Sequence, residues 1–350
     1  MRISRLAGLG AAAVLTVGLA ACSSTSSGTD DASASGDDCV AQTDLASAGT
    51  FPATVEHALG ETVVEAAPTR VSTIGWGNQD VALALGIAPV GADDQTWSMD
   101  GSDGLGLYDW TLDAYAALCA DEPVVFSTAD GTDFESISDT APELILAGYS
   151  GVTEEEYATL TGIAPTVAYP DAAWITPWRE VIRVDSEALG LADEGLALID
   201  DLETQIADAT ADADFAGKKA AFFYTNAADL STISIYGQGD SRTAFLADLG
   251  FELPDLAGDV ETFYADISAE NADQIADVDV IVTYGDGDDT LKALQADPLW
   301  STLDAVKNGA VVSVGSGDAL SGAVTPTALS IPWMLDDYVG LLSDAVANVK

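Results

Sequence analysis

Short apolar, β-branched runs alternate along the chain with longer segments whose apolar positions recur every three or four residues. Arg70-Val71-Ser72-Thr73-Ile74, residues 88–92, Pro123-Val124-Val125-Phe126, Glu143-Leu144-Ile145-Leu146-Ala147 and residues 163–168 read as strands. Between them, residues 78–86 carry helical spacing through Val81, Leu83, Ala84 and Leu85 and close on Gly86. Phe134 begins a short helix that stops before Pro142, and Thr153 followed by three glutamates opens another, with the acids where a helix N-terminus favours them. Residues 177–189 are amphipathic, and Leu191 to Ala213 continues as a second helix in which Leu196, Ile199, Leu202, Ile206 and Ala209 recur without a proline. That run predicts a helix roughly 30 Å long. Strands then resume at 220–224, 232–236, 278–284 and 310–314, with helices over 241–249, 269–275 and 298–306. The last helical segment, 327–349, contains Pro332, which implies an early kink or a later start. The expected fold class is therefore α/β, with two α/β lobes joined by a single long helix: a lobe at 50–174, connecting helices at 175–214 and a lobe at 215–350.

The N-terminus has a different texture. Arg2 and Arg5 precede an uncharged apolar stretch ending in Leu19-Ala20-Ala21-Cys22, a bacterial lipobox pattern. Residues 1–21 read as a lipoprotein signal peptide and Cys22 as the lipidation site. Residues 22–49 read as a flexible tether, since Ser23 to Asp38 has no large apolar side chain to offset the entropy of ordering. The expected location is the outer face of a cell membrane, with the body held there by acyl chains.

Charge and cysteine content narrow the function. Lys and Arg number 11 against 58 Asp and Glu, a formal net charge of -47. A surface of that sign repels phosphate backbones, so nucleic-acid binding is excluded. Cys39 and Cys119 remain once Cys22 is lipidated, and in an oxidising exterior such a pair is expected to be bridged. With one histidine, His57, in the N-terminal stretch, and Gly148-Tyr149-Ser150-Gly151 short of a Gly-x-Ser-x-Gly elbow, an exported hydrolase is a remote alternative. No catalytic residues, resident metal or cofactor are expected. Asp286-Gly287-Asp288-Asp289 lacks the spaced ligands of a calcium loop and reads as a solvated acidic turn.

Ligands of α/β sheets sit beyond the carboxyl ends of strands and between lobes. The side chains at such positions are Trp76, Tyr149, Trp174, Trp178, Arg179, Tyr224, Tyr236 and Tyr284, joined by Arg242 after Gly239-Asp240-Ser241. Aromatic faces suit a large, partly apolar or planar guest. Arg179 and Arg242 are each open to two roles, a planar fork for an oxygen-rich ligand or a structural ion pair. Arg70 reads as the partner of an acid, and Arg183, one turn after Arg179, as a surface ion pair.

The lipobox, residues 70–80, residues 84–91, Pro142-Glu143-Leu144-Ile145-Leu146, Thr176-Pro177-Trp178-Arg179-Glu180 and the segment 240–250 together resemble the iron–siderophore substrate-binding lipoproteins of ABC importers. The resemblance runs from about residue 50 to the end. It implies a class III periplasmic-binding-protein fold with little hinge motion. It also implies a ferric siderophore held by aromatics and arginines without direct protein–metal bonds, and a monomer whose acidic surface docks onto a cognate ABC permease. The scarcity of basic residues favours a hydroxamate or mixed chelate over an anionic catecholate. The same fold carrying cobalamin or haem is the alternative.

Overall fold

The computed structural model describes residues 39–96, 99, 104–128, 131–260, 263–285 and 287–350. The expected signal peptide, Cys22, the Ser23–Asp38 segment and Asp286 lie outside the described residues.

The folded body starts earlier than the tether reading placed it. Cys39 and Cys119 are joined by a disulfide, with their Cα atoms 5.7 Å apart. The amide of Val40 donates to the carbonyl of Ala117, that of Thr43 donates to Gly86, and Leu45 is buried at the head of α1 (Leu45–Ala48). Residues 39–49 are mostly small and polar and resemble a tether in sequence; their order comes from contacts made elsewhere in the chain.

In the first lobe, a hairpin of β1 (Ala53–His57) and β2 (Gly60–Val64) precedes β3 (Val71–Thr73), α2 (Asn78–Ala84), β4 (Gly91–Asp93), α3 (Asp109–Ala117), β5 (Val124–Phe126), α4 (Phe134–Asp139), β6 (Leu144–Leu146), α5 (Glu154–Leu160) and β7 (Thr166–Val167). The five strands from β3 onward form a parallel sheet in the order β5-β4-β3-β6-β7. Its faces follow the two-residue period of a strand: Leu144 and Leu146 pack toward Val71, Val184 and Leu189, whereas Ile145 packs toward Ile74, Ile137 and Leu160. α5 opens with a capping box, Thr153 and Glu156 satisfying each other's backbone amides. The hairpin and α3 were not anticipated, since half the hairpin positions are exposed and polar. His57 is buried there, its Nε2 3.0 Å from Thr62 Oγ1 and 3.2 Å from the Tyr157 hydroxyl, which gives it a structural place. Arg70 donates to the carbonyls of Thr140 and Ala141, and its charge also acts on the Glu143 carboxylate without a direct ion pair.

α6 (Trp178–Ala188) and α7 (Ala192–Ala209) connect the lobes. With 18 residues α7 spans about 27 Å. Leu202 and Ile206 are buried as the periodicity required, but Leu196 faces solvent.

The second lobe runs β8 (Ala220–Tyr224), β9 (Thr232–Tyr236), α8 (Ser241–Asp248), α9 (Asp255–Asp259), β10 (Tyr264–Ser268), β11 (Val280–Thr283), α10 (Gly287–Ala296), α11 (Asp304–Asn308), β12 (Val311–Ser313), α12 (Ala319–Ala323) and α13 (Ser330–Val346). Its sheet has the order β10-β9-β8-β11-β12; β8, β11 and β12 are parallel, and β9 and β10 form an antiparallel edge. β10 was missed because only Ile267 is buried along it. The acidic turn reading of residues 286–289 is corrected: Asp288 and Asp289 occupy the first turn of α10. Pro332 lies in the first turn of α13, where its missing N–H costs nothing, so the later start is the one that occurs. No helix among the described residues is long and apolar enough to cross a membrane.

Candidate functional site

A cavity of about 400 Å³ lies between the lobes, lined by Gly75, Trp76, Asp93, Asp94, Thr128, Tyr149 and Trp174 from the first and by Arg242, Phe263 and Thr325 from the second. Almost all the first-lobe residues stand at, or just after, the carboxyl ends of parallel strands: Gly75 and Trp76 after β3, Asp93 and Asp94 at the end of β4, Thr128 after β5, Tyr149 after β6. The sheet therefore assembles the wall from residues far apart in sequence.

Two close approaches fix this wall. Gly75 has φ +84° and lies so near the Tyr149 carbonyl that a Cβ would sit 2.4 Å from that oxygen. A Cβ on Gly151 would come within 2.2 Å of Trp174 Nε1. Trp174 itself adopts φ +60°, a left-handed conformation uncommon for a bulky residue. Its amide donates to Ser150 and its ring meets Tyr149 edge-on at 5.6 Å, leaving the indole 40% exposed. Trp76 is largely buried, its Nε1 donating to the Thr325 carbonyl of the other lobe.

Arg242 is held rigidly. Asp240 caps α8 through the Arg242 amide and also takes both Nε and Nη2 of the guanidinium, at 2.9 and 2.6 Å. Nη1 donates to the Tyr284 hydroxyl at 2.8 Å, and the guanidinium lies 4.0 Å from the centroid of Tyr236 and 5.3 Å from that of Phe263. Burial works against the charge, but the Asp240 carboxylate and the ring neighbours hold the Arg242 pKa well above its ordinary value. Asp93 Oδ2 accepts from the Gly75 amide and the Thr128 hydroxyl, and Oδ1 from the Thr128 amide; burial outweighs these bonds and raises its pKa to about 6.

Of the nine ring and arginine positions singled out in the sequence, Trp76, Tyr149, Trp174 and Arg242 line this cavity. Tyr236 and Tyr284 stand one layer back and fix the guanidinium. Trp178 and Arg179 do not line it. Trp178 donates to Asp248 Oδ2 at 2.9 Å and borders a small void of about 10 Å³ behind Trp76 and Tyr149. Arg179 stacks on Trp178 and pairs with Asp248 and Glu203, so its structural role prevails. Tyr224 is 51% exposed and also lies outside the lining. Asp93, Asp94, Thr128, Phe263 and Thr325 were missed. For Asp93 and Asp94 the position at a strand end was the available signal; Phe263 and Thr325 sit in loops that pattern alone does not place.

The lobes are cross-linked beneath the cavity. Asp80 of α2 is fully buried and accepts from Thr327 Oγ1 of the opposite lobe at 2.5 Å, and also from Thr111, Trp110 and Gln79. The Tyr149 and Ser241 hydroxyls lie 3.2 Å apart. Together with the Arg179–Asp248 pair, these contacts favour a preformed site over large domain closure.

A profile of the family described as periplasmic binding protein matches residues 71–316. The iron uptake ABC transporter substrate-binding protein PiaA from Streptococcus pneumoniae TIGR4 is 42% identical, covering 85% of this chain and 100% of its own, with a TM-score of 0.78. The structure of PiaA in complex with ferrichrome is 43% identical over 85% of this chain and 99% of its own, with a TM-score of 0.80. Staphylococcus aureus SirA complexed with staphyloferrin B is 25% identical over 85% of this chain and 99% of its own, at a TM-score of 0.63. A search of curated proteins found no match.

Proposed function

This chain belongs to the periplasmic binding protein family, and from that premise we propose that it is the substrate-binding component of an ABC importer that captures a ferric siderophore. The observation that carries the reading is the interlobe cavity, walled by Trp76, Tyr149 and Trp174 on one side and by Phe263 and the fixed Arg242 on the other. Its volume, about 400 Å³, is in the range that buries much of a mid-sized guest. Ring faces pack against the organic shell of a chelate, and the free N–H groups of Arg242 meet oxygens on its surface. The iron stays within its own ligands. Likeness to PiaA, solved with ferrichrome, and to SirA, solved with staphyloferrin B, supports the same cargo class.

Delivery completes the proposal. The lipobox at Cys22 anchors the exported chain to the outer face of the membrane, and the acidic surface docks the loaded protein onto its permease. The protein acts as a monomer and catalyses no reaction.

Titration of tryptophan fluorescence tests the cargo. Ferrichrome is expected to quench it saturably, whereas cobalamin and haem leave it unchanged at equal concentration after inner-filter correction. Saturable binding of cobalamin or haem with no response to any ferric chelate would overturn the assignment. Mass spectrometry of membrane-extracted protein checks the anchor, which requires a diacylglyceryl group on Cys22.

A further inference from the structure

The charges around the cavity point to one kind of chelate. Among the described residues that line it, Arg242 is the one basic side chain, and its charge is already matched by the buried Asp240 carboxylate at 2.6 Å. Asp93 and Asp94 add two carboxylates from the opposite wall. The oxygens of Asp93 are taken up by Gly75 and Thr128, so this carboxylate is committed to holding the strand-end loops. Asp94 differs. It is half-buried, and its Oδ1 accepts from the Thr96 amide and hydroxyl at 3.2 and 2.8 Å, while its Oδ2 takes no hydrogen bond from the described residues. The site thus presents a surplus of negative charge, within a chain whose net charge is -47.

Resting on the siderophore reading above, we propose that Asp94 sets specificity by charge: the site accepts uncharged or cationic ferric chelates, and the Asp94 carboxylate pairs with a cationic group carried at the edge of the chelate, such as a pendant ammonium. An anionic tris-catecholate meets repulsion from Asp94 and Asp93, and the Arg242 guanidinium, already shared with Asp240, offsets little of it. An ammonium near Asp94 Oδ2 gains a charge-assisted hydrogen bond in a partly desolvated place. Asp94 is thus a specificity residue, and the aromatic walls supply affinity common to all chelates.

The test uses a matched pair of probes, a linear ferric trihydroxamate with a free terminal amine and the same chelate N-acetylated, together with a ferric tris-catecholate. The wild-type protein should bind the amine form about fivefold more tightly than the acetylated form, and the tris-catecholate at least about tenfold more weakly than either. Asp94→Asn keeps Oδ1 for Thr96; it should abolish the preference for the amine and narrow the penalty on the tris-catecholate. Rising salt should tighten tris-catecholate binding to the wild type by screening the repulsion, a measurement that needs no variant. Equal binding of amine and acetylated forms, or a tris-catecholate bound most tightly, would overturn charge selection alone. Failure of every ferric chelate to bind the wild type would overturn the cargo assignment as well.

Discussion

Asp80 is fully buried in the seam between the lobes, and replacing it with asparagine should change how stability responds to pH. Burial disfavours its charged form, and four hydrogen bonds, led by that from Thr327, recover part of the cost; the net result is a pKa raised from 3.8 to about 6. A carboxyl that binds its proton more tightly when folded adds stability that is complete below its unfolded pKa and is lost as pH rises through the folded value. Between pH 7.5 and pH 5 the shift from 3.8 to about 6 stabilises the wild type by about 1.4 kcal/mol through this group alone. Asp80→Asn cannot titrate. Its amide offers one acceptor where the carboxylate offered two, but it also removes the penalty of a buried charge, so its absolute cost is a balance of these two effects at both pH values. The decisive quantity is the difference between them: urea unfolding followed by tryptophan fluorescence should show Asp80→Asn more damaging at pH 5 than at pH 7.5 by about 1.4 kcal/mol. The comparison cancels the general relief of charge repulsion on acidification, which both proteins share. A cost that is the same at both pH values within about 0.5 kcal/mol would show that Asp80 titrates normally and would refute the desolvation argument.

Two further outcomes follow from the geometry. Gly151→Ala should weaken ferric chelate binding about tenfold or more with little loss of thermal stability, because its Cβ would displace the Trp174 indole from the cavity wall; unchanged affinity would mean that Trp174 is not part of the site. The double substitution Cys39→Ser and Cys119→Ser opens a loop of 80 residues and should cost about 4.5 kcal/mol by chain entropy, read as a lowered urea midpoint while chelate affinity in the folded protein is kept, since neither residue lines the cavity.

The alternation of strand and helix was legible throughout because it rests on local periodicity: Leu144-Ile145-Leu146 must bury both faces, and Leu202 and Ile206 must share one side of α7. Elements whose exposed faces are polar, such as β1, β2 and β10, escaped that reading, since their order is imposed by the strand or core beside them. The same limit governed the site. Aromatic rings at strand ends were visible as candidates, but a ring that lines a cavity and a ring that closes a core look alike in sequence. Trp76 and Trp178 show this: both are buried and both donate through Nε1 to the second lobe, yet the first faces the cavity and the second the small void behind it.

Arginine roles were decided in the same way. Turn and helix position do not separate Arg179 from Arg242, since each follows a turn and opens a helix. Asp248 and Glu203, distant in sequence, claim the first, whereas Asp240, two residues away, orients the second toward the cavity without enclosing it. The chain by itself therefore determined the secondary-structure plan and the two-lobe architecture, both properties of short-range pattern and composition. Only the tertiary structure decided which rings and charges share one cavity, because electrostatic partners and close approaches such as Gly151 against Trp174 depend on distances that sequence spacing does not encode.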